Sequence, residues 1–322
     1  MLLHPEVYTL SFNSSVDYTF YLQSFKFDDI NRIEKSRIDA GGKGLNVARM
    51  LRVFGYPCQA ITFLGGENGR ILKNLLETEN ILFKYIPIKG NIRGIFNFIA
   101  GEKVLRINEK GPLISPKEQD AFLKMVYSLN LSAGNIVSIS GSVPPGIKKT
   151  AYRDIIKRAR EKGGTVVFDA DGKLLADGIK AKPHIIKPNL WELSRAAGIK
   201  IKSIKQLKSV LSSLISGGIQ TVLVTNGKKG AILFSETHFL YGKPPVVKTV
   251  SAVGCGDTFL AGFIYGYSRN KPPEESLRWA VASGAAKVLK EGTSIPAKKD
   301  VSALLKQVRI TDASGKDALS FF

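Results

Sequence analysis

Short β-branched runs alternate with amphipathic helical stretches along this chain, and each run ends in a polar turn. Ile136 to Ile139 precedes Ser140-Gly141-Ser142, Thr165 to Phe168 precedes Asp169, and His184 to Ile186 precedes Lys187-Pro188-Asn189. Leu207, Val210, Leu211, Leu214 and Ile215 share one helical face, which Gly217-Gly218 ends before the strand Thr221 to Val224. Strands separated by helices of this length imply right-handed crossovers and a largely parallel sheet covered on both faces. Ligands of such sheets sit beyond the carboxyl ends of the strands, where the polar turns lie.

The 322 residues fit one large α/β unit with an appendage, expected here as a single domain over 1–322. Segments at about 11–38 and 92–108 alternate polar and aromatic residues and are expected to form a small β lid over the site. From about Ser314 the chain reads as a poorly tied terminus. No run approaches the roughly 18 apolar residues that cross a bilayer, and the first residues lack a secretory pattern, so a cytoplasmic protein with no membrane partner is expected. Cys58 and Cys255 are too few and too far apart for a zinc cluster, although one bridge stays open. His4, His184 and His238 lie near no carboxylate or cysteine pattern, and Trp191 and Trp279 read as packing residues.

Lysine and arginine number 47 against 27 aspartate and glutamate, a formal charge of +20. That excess could draw a polyanion, but it forms no block. In Ala151 to Gly163, for instance, Tyr152, Ile155, Ile156 and Ala159 fall at helical spacing with basic residues between them, which describes a solvated helix face. A generally basic surface serving small anions is expected rather than a nucleic-acid site.

The segment from Ser251 to Phe263 carries the most chemistry. Phe259, Leu260, Phe263, Ile264 and Tyr267 share a helical face, so Gly254-Cys255-Gly256-Asp257 occupies the turn at a helix N-terminus. Unpaired N–H groups and the helix dipole there bind anions. Asp257 would be kept ionised by that field and could accept a proton from a hydroxyl; alternatively it is an N-cap after a loop. Gly41-Gly42-Lys43-Gly44-Leu45-Asn46 opens another helix, expected near the opposite end of the sheet, either as a close approach to a ligand or as a tight turn. Asn189 and Glu192 could reach a hydrated Mg²⁺ or form a capping pair. Two glycine-rich helix starts with a polar strand end suit phosphoryl transfer from a nucleotide to a small alcohol.

The same segments resemble the PfkB (ribokinase-like) family of carbohydrate kinases, in the family's order and over nearly the whole chain. AGGKGLNVARML (40–51) is similar to its first signature, SAVGCGDTFLAGF (251–263) to its second, KPNLWEL (187–193) to its K-P-N-x-x-E-L block and VTNGKKGA (224–231) to its nucleotide loop. TLSFNSSVDYTF (9–20), INEKGP (107–112) and SGSVPPG (140–146) resemble the hexose-phosphate kinases within it. The resemblance implies a three-layer αβα sandwich with a mostly parallel central sheet and a small β lid. It implies Asp257 as catalytic base, an anion hole of Gly254, Cys255 and Gly256, and sugar-phosphate contacts from Asp17, Gly42, Lys43, Asn46, Arg93 and Ser142. Lys187, Asn189, Thr225, Gly227 and Gly230 would face ATP, Ala286 and Lys290 its adenine, and Glu192 with Asn189 would meet Mg²⁺ through water. Arg32 would be a further phosphate contact.

Ala252, Cys255, Ser14-Ser15, Ile92 and Ile95 depart from the family's usual residues, the last four in sugar and lid regions. The expected activity is phosphorylation of a ketohexose phosphate, fructose 1-phosphate first and tagatose 6-phosphate or fructose 6-phosphate next. A non-catalytic sugar-phosphate sensor is the alternative of another class. The exposed lid face is expected to pair with a second subunit.

Overall fold

A computed structural model describes residues 7–101 and 103–322, so His4 lies outside the described residues. The buried strand β1 (Val7–Ser11) is followed by β2 (Ser15–Tyr21) and β3 (Lys35–Gly41), which belong to a separate small sheet. Helix α1 (Lys43–Val53) returns the chain to the main sheet as β4 (Cys58–Leu64), and α2 (Gly66–Thr78) leads to β5 (Leu82–Pro87). Strands β6 (Arg93–Ala100) and β7 (Lys103–Asn108) complete the small sheet.

Strict alternation follows: α3 (Pro116–Tyr127), β8 (Ile136–Ser140), α4 (Ala151–Glu161), β9 (Thr165–Asp169), α5 (Gly172–Ile179) and β10 (Ile185–Ile186). Helices α6 (Leu190–Ala196) and α7 (Ile204–Ser216) precede β11 (Thr221–Thr225), and β12 (Ala231–Ser235) with β13 (Phe239–Lys243) forms a hairpin. Helices α8 (Cys255–Ser268), α9 (Pro273–Val288) and α10 (Lys298–Leu305) then lead to β14 (Arg309–Asp312).

The ten strands of the main sheet run β14-β13-β12-β11-β10-β9-β8-β1-β4-β5. Pairs from β11 through β5 are parallel, and β12, β13 and β14 extend the sheet antiparallel. Strand parity divides the core in two. Tyr8, Leu10, Val137, Ile139, Val166, Phe168 and Ile186 pack on the side of α2 to α7, whereas Val7, Ile136, Val167 and Ile185 pack beneath α8, α9 and α10. This is the three-layer αβα arrangement that the alternating pattern predicts. The small sheet, ordered β3-β2-β6-β7, joins β2 and β6 in parallel and its other pairs antiparallel.

Two expectations need correction, for the C-terminal residues and for Trp191. Residues after Ser314 are tied down, with Ala318 and Phe321 fully buried, and Asn226 Nδ2 donates to Phe321 O (2.6 Å). The apolar residues at 318 and 321 outweigh the small, polar ones that suggested fraying. Helix α8 is buried almost all round because α1 and α9 both pack on it, and of the five residues read as sharing one face only Tyr267, near its C-terminal end, is exposed (37 %). Trp191 is not a packing residue: it is 61 % exposed and its ring carries the Arg195 guanidinium 4.4 Å from the centroid. Both cysteines are free thiols. Trp279 does pack, against Phe54 and Tyr265, and His184 serves the framework by accepting from Val166 N (2.9 Å). Among the described residues no helix is long and apolar enough to cross a membrane.

Candidate active site

On the α8 side of the sheet, parity fixes which residues end the strands. Two positions beyond Thr9, Ser138, Val167, Ile185 and Leu223 stand Ser11, Ser140, Asp169, Lys187 and Thr225, all polar and all at carboxyl ends. Burying polar groups there costs free energy unless they are partnered. Asp169 supplies the partner: its buried carboxylate lies 3.2 Å from Lys43 Nζ and 3.2 Å from Lys187 Nζ. Burial alone would raise its pKa, but the two ammonium groups hold it below the ordinary carboxylate value.

The chain reaches α8 through Gly254, whose φ of 76° is a left-handed conformation that side-chain-bearing residues rarely adopt. This reversal leaves the N–H groups of Gly254 and Gly256 without a protein partner among the described residues, while Cys255 N donates back to Ala252 O (3.4 Å). Two N–H donors at this helix start are therefore free, and free donors at such a position suit an anion. Lys187 faces it, since a Cβ on Gly256 would stand 3.5 Å from Lys187 Nζ. The Cys255 thiol is pushed up to about 11, chiefly by burial, so it is a protonated packing group.

Asp257 occupies the first turn of α8 and is 6 % exposed. Asn46 Nδ2, on α1, donates to its Oδ2 at 2.8 Å. The two glycine-rich helix starts are thus neighbours and not at opposite ends of the sheet, because α1 packs directly along α8. Burial raises the Asp257 pKa to about 6 against the opposing pull of Lys43. A carboxylate with that value is a stronger base than an exposed one and is still mostly ionised at neutral pH.

Beyond β1 and β8 opens a cleft of about 400 Å³, lined among others by Ser11, Asn13, Lys43, Arg93, Ser142, Asp171 and Glu192. The sheet order reverses there, since β1 is flanked by β4 and β8. Arg93 Nε donates to Asn13 O (3.1 Å), and Asn13 Nδ2 donates to Ser142 Oγ (3.1 Å). Arg93 is thereby held by one edge, and its terminal nitrogens have no protein acceptor among the described residues. Asp17 is buried behind it, accepting from Ser15 Oγ (2.6 Å), and a Cβ on Gly41 would collide with the Asp17 carboxylate. The glycine at 41 is what lets that acid sit against the lid hinge. Gly42 caps α1 without a side-chain bond.

On the other flank, Asn189 and Glu192 form a reciprocal capping box: Glu192 N donates to Asn189 Oδ1 and Asn189 N to Glu192 Oε2, both at 2.8 Å. Glu192 Oε1 remains available on the cleft. Thr225 bridges to Asn189, and Gly227 and Gly230 bound the turn that follows β11. The two positions expected on the adenine side differ in exposure. Ala286 has no exposed surface because it belongs to the core between α8 and α9, and Lys290 is engaged by Asp300 at 2.8 Å. Arg32 is exposed in the loop between β2 and β3, away from the lining of the cleft.

The sequence model of the pfkB family carbohydrate kinases matches residues 10–300. This chain belongs to that family. It is a carbohydrate kinase. It is 32 % identical over 305 residues to a 1-phosphofructokinase of Bacillus subtilis, covering 95 % of this chain and 99 % of that one. It is 33 % identical over 309 residues to a tagatose-6-phosphate kinase of Staphylococcus epidermidis, with the same coverage. The crystal structure of phosphofructokinase-2 from Escherichia coli in complex with fructose-6-phosphate superposes with a TM-score of 0.88 at 25 % identity, over 94 % of this chain and 99 % of that one.

The sequence leaves both a nucleotide-side contact and a turn role open for Asp169, and it does not single out Asn13, Arg49 or Lys287. Parity of the strand ends carried the signal for Asp169. Asn13 follows β1 just as Ser142 follows β8. Arg49 and Lys287 lie within helices among apolar neighbours and gave no local signal.

Proposed function

We propose that this kinase transfers the γ-phosphoryl group of ATP to a free hydroxyl of a ketohexose phosphate, with fructose 1-phosphate the first choice and tagatose 6-phosphate or fructose 6-phosphate next. The observation that carries the reading is a buried Asp257 of raised pKa beside two free N–H donors, next to a cleft that presents Lys43 and Arg93. Asp257 takes the hydroxyl proton as the oxygen attacks. The Gly254 and Gly256 N–H groups and Lys187 meet the charge on the transferring group. Arg93 offers a planar fork to the phosphate the sugar already carries.

Mg²⁺ usually keeps several waters and takes one or two carboxylates plus phosphate oxygens. Glu192, with one oxygen committed to the capping box and one on the cleft, fits that limited role, and Asn189 fits it only through water because its Oδ1 caps α6. When bound, the ion neutralises phosphate charge. Thr225, Gly227 and Gly230 suit the ATP side. A sensor would need neither the tuned base nor the paired lysines, and the kinase reading is therefore preferred.

An ATP-consumption assay across fructose 1-phosphate, fructose 6-phosphate, tagatose 6-phosphate, ribose and nucleosides is expected to give turnover with a phosphorylated ketohexose. Turnover confined to unphosphorylated acceptors would reject the reading. In the same assay Arg93→Ala should raise KM for the sugar phosphate by about 10–100-fold, the worth of a charge-assisted contact of about 1.5–3 kcal/mol, and leave KM for ATP nearly unchanged.

The outer lid face supports a homodimer. Register puts Tyr18, Phe20, Phe96, Phe98, Leu105, Ile107 and Ile38 on one face, with Leu105, Ile107 and Ile38 about half exposed. Tyr18 and Phe96 stack at 5.3 Å. A contiguous apolar sheet face on a small lid suits an isologous contact with a second copy. Light scattering after size exclusion should give a dimer mass, and Leu105→Glu with Ile107→Glu a monomer; a monomeric wild-type protein at micromolar concentration rejects the contact.

A further inference from the structure

Lys287, in the last turn of α9, is completely buried. Lysine is almost never fully buried without a charged partner. Among the described residues Lys287 has no carboxylate at ion-pair distance, and its one hydrogen bond runs from Nζ to Gly292 O (2.9 Å). The helix dipole offsets part of this cost, because a cation in a last turn meets the negative end. Burial lowers the Lys287 pKa, while Cys255, Asp39 and Asp257 favour its charged form and Arg49 opposes it.

What lies around this ammonium is the catalytic turn. A Cβ on Gly254 would stand 3.6 Å from Lys287 Cε. Gly292 O also faces Ser251 Oγ (3.4 Å), and Ser251 Oγ in turn accepts from Val253 N (3.3 Å). Val250 N and Ser251 N both donate to Val288 O, one residue beyond Lys287 (2.8 and 3.1 Å). The segment entering the anion turn is therefore stitched to the loop after α9. That loop meets α1 and the lid too. Arg49 Nη1 donates to Thr293 O (3.1 Å), and Lys35 of β3 pairs with Glu291 at 2.9 Å.

We infer that Lys287 is a positioning residue for phosphoryl transfer, a tethered cation that holds the Gly254 turn in place and adds positive potential behind its free N–H groups. This inference rests on the reading of residues 254–257 as the anion site and base. A charge in a dry, preorganised site acts on developing negative charge with little screening and no reorganisation. It touches neither substrate, so its effect belongs to the chemical step.

The test uses two variants of the full chain. Lys287→Met keeps the length of the side chain and removes a buried charge that has no ion-pair partner among the described residues, so no partner charge is left uncompensated. Its kcat should fall by about 10–100-fold, somewhat less than loss of a direct oxyanion donor, and KM for both substrates should stay within about threefold. Lys287→Ala leaves a cavity with a carbonyl acceptor; ammonium chloride, compared with sodium chloride at equal ionic strength, should restore its kcat at least about fivefold and leave the wild type unchanged. A folded Lys287→Met with wild-type kcat, a change confined to KM, absence of ammonium rescue, or failure of both variants to fold would each overturn the assignment. Absence of turnover in the wild-type protein would instead remove the kinase reading itself.

Discussion

Asp257→Asn should lower kcat by about 10²–10⁴-fold, the usual contribution of a positioned general base, while KM for ATP stays within about threefold. Asparagine keeps the shape of the side chain and can still meet Asn46, so the fold should be unperturbed. What it cannot do is accept the proton. The wild-type pH profile makes a second, independent check. With the Asp257 pKa raised to about 6, the acid limb of kcat/KM should fall through about pH 6, nearly two units above an unperturbed aspartate. The sign follows from the active form being the carboxylate: rate is lost as pH drops and the base protonates. Stopped assays from pH 5 to 8 measure both. Near-wild-type turnover by the variant, or an acid limb near pH 4, would remove Asp257 from the role of base.

Most of the fold was legible because each strand carries its own parity and each helix its own apolar stripe. Ile136 to Ser140 and Thr165 to Asp169 are buried on both faces, so they read as mostly apolar, β-branched runs, and the polar residue ending each run lies at the carboxyl end, where ligands of such sheets bind. The lid was legible through alternation at 15–21 and 93–100. Contacts between distant segments were not. Nothing local to Gly41 or Gly254 says that α1 lies along α8, and the Asn46–Asp257 bond spans 211 positions. The same limit holds for Ala286, whose helix has a rotation set by tertiary packing, and for Lys290, whose ion pair with Asp300 joins two segments. Trp191 and the residues after Ser314 were misread for a related reason. Hydrophobicity alone says what a residue would gain from burial, and the neighbours decide whether burial is available.

The paired lysines make the second large prediction. Asp169 is the one carboxylate within 3.2 Å of both Lys43 and Lys187 among the described residues, and Lys187 is itself buried. Removing one member of a buried ionic network costs about 3–5 kcal/mol because the partner charge is left without compensation. Asp169→Leu should therefore destabilise the chain by that order, seen as a clear fall in the midpoint of urea unfolding. It should also depress kcat, since Lys187 would lose its aim at the anion turn. The pH dependence has a defined sign. The folded-state pKa of Asp169 is depressed, so its contribution is present above the unfolded value of about 3.9 and is lost as pH falls through the lower folded value. Lys43, whose pKa is raised by Asp169, adds a contribution that survives to strongly alkaline pH. Wild type and Asp169→Leu should consequently differ most between neutral and mildly alkaline pH and converge under acid. An Asp169→Leu protein as stable as the wild type at pH 7 would show that the two ammonium groups are held by other means. The stability that this triad contributes would then have to be sought in the packing around Lys187 alone.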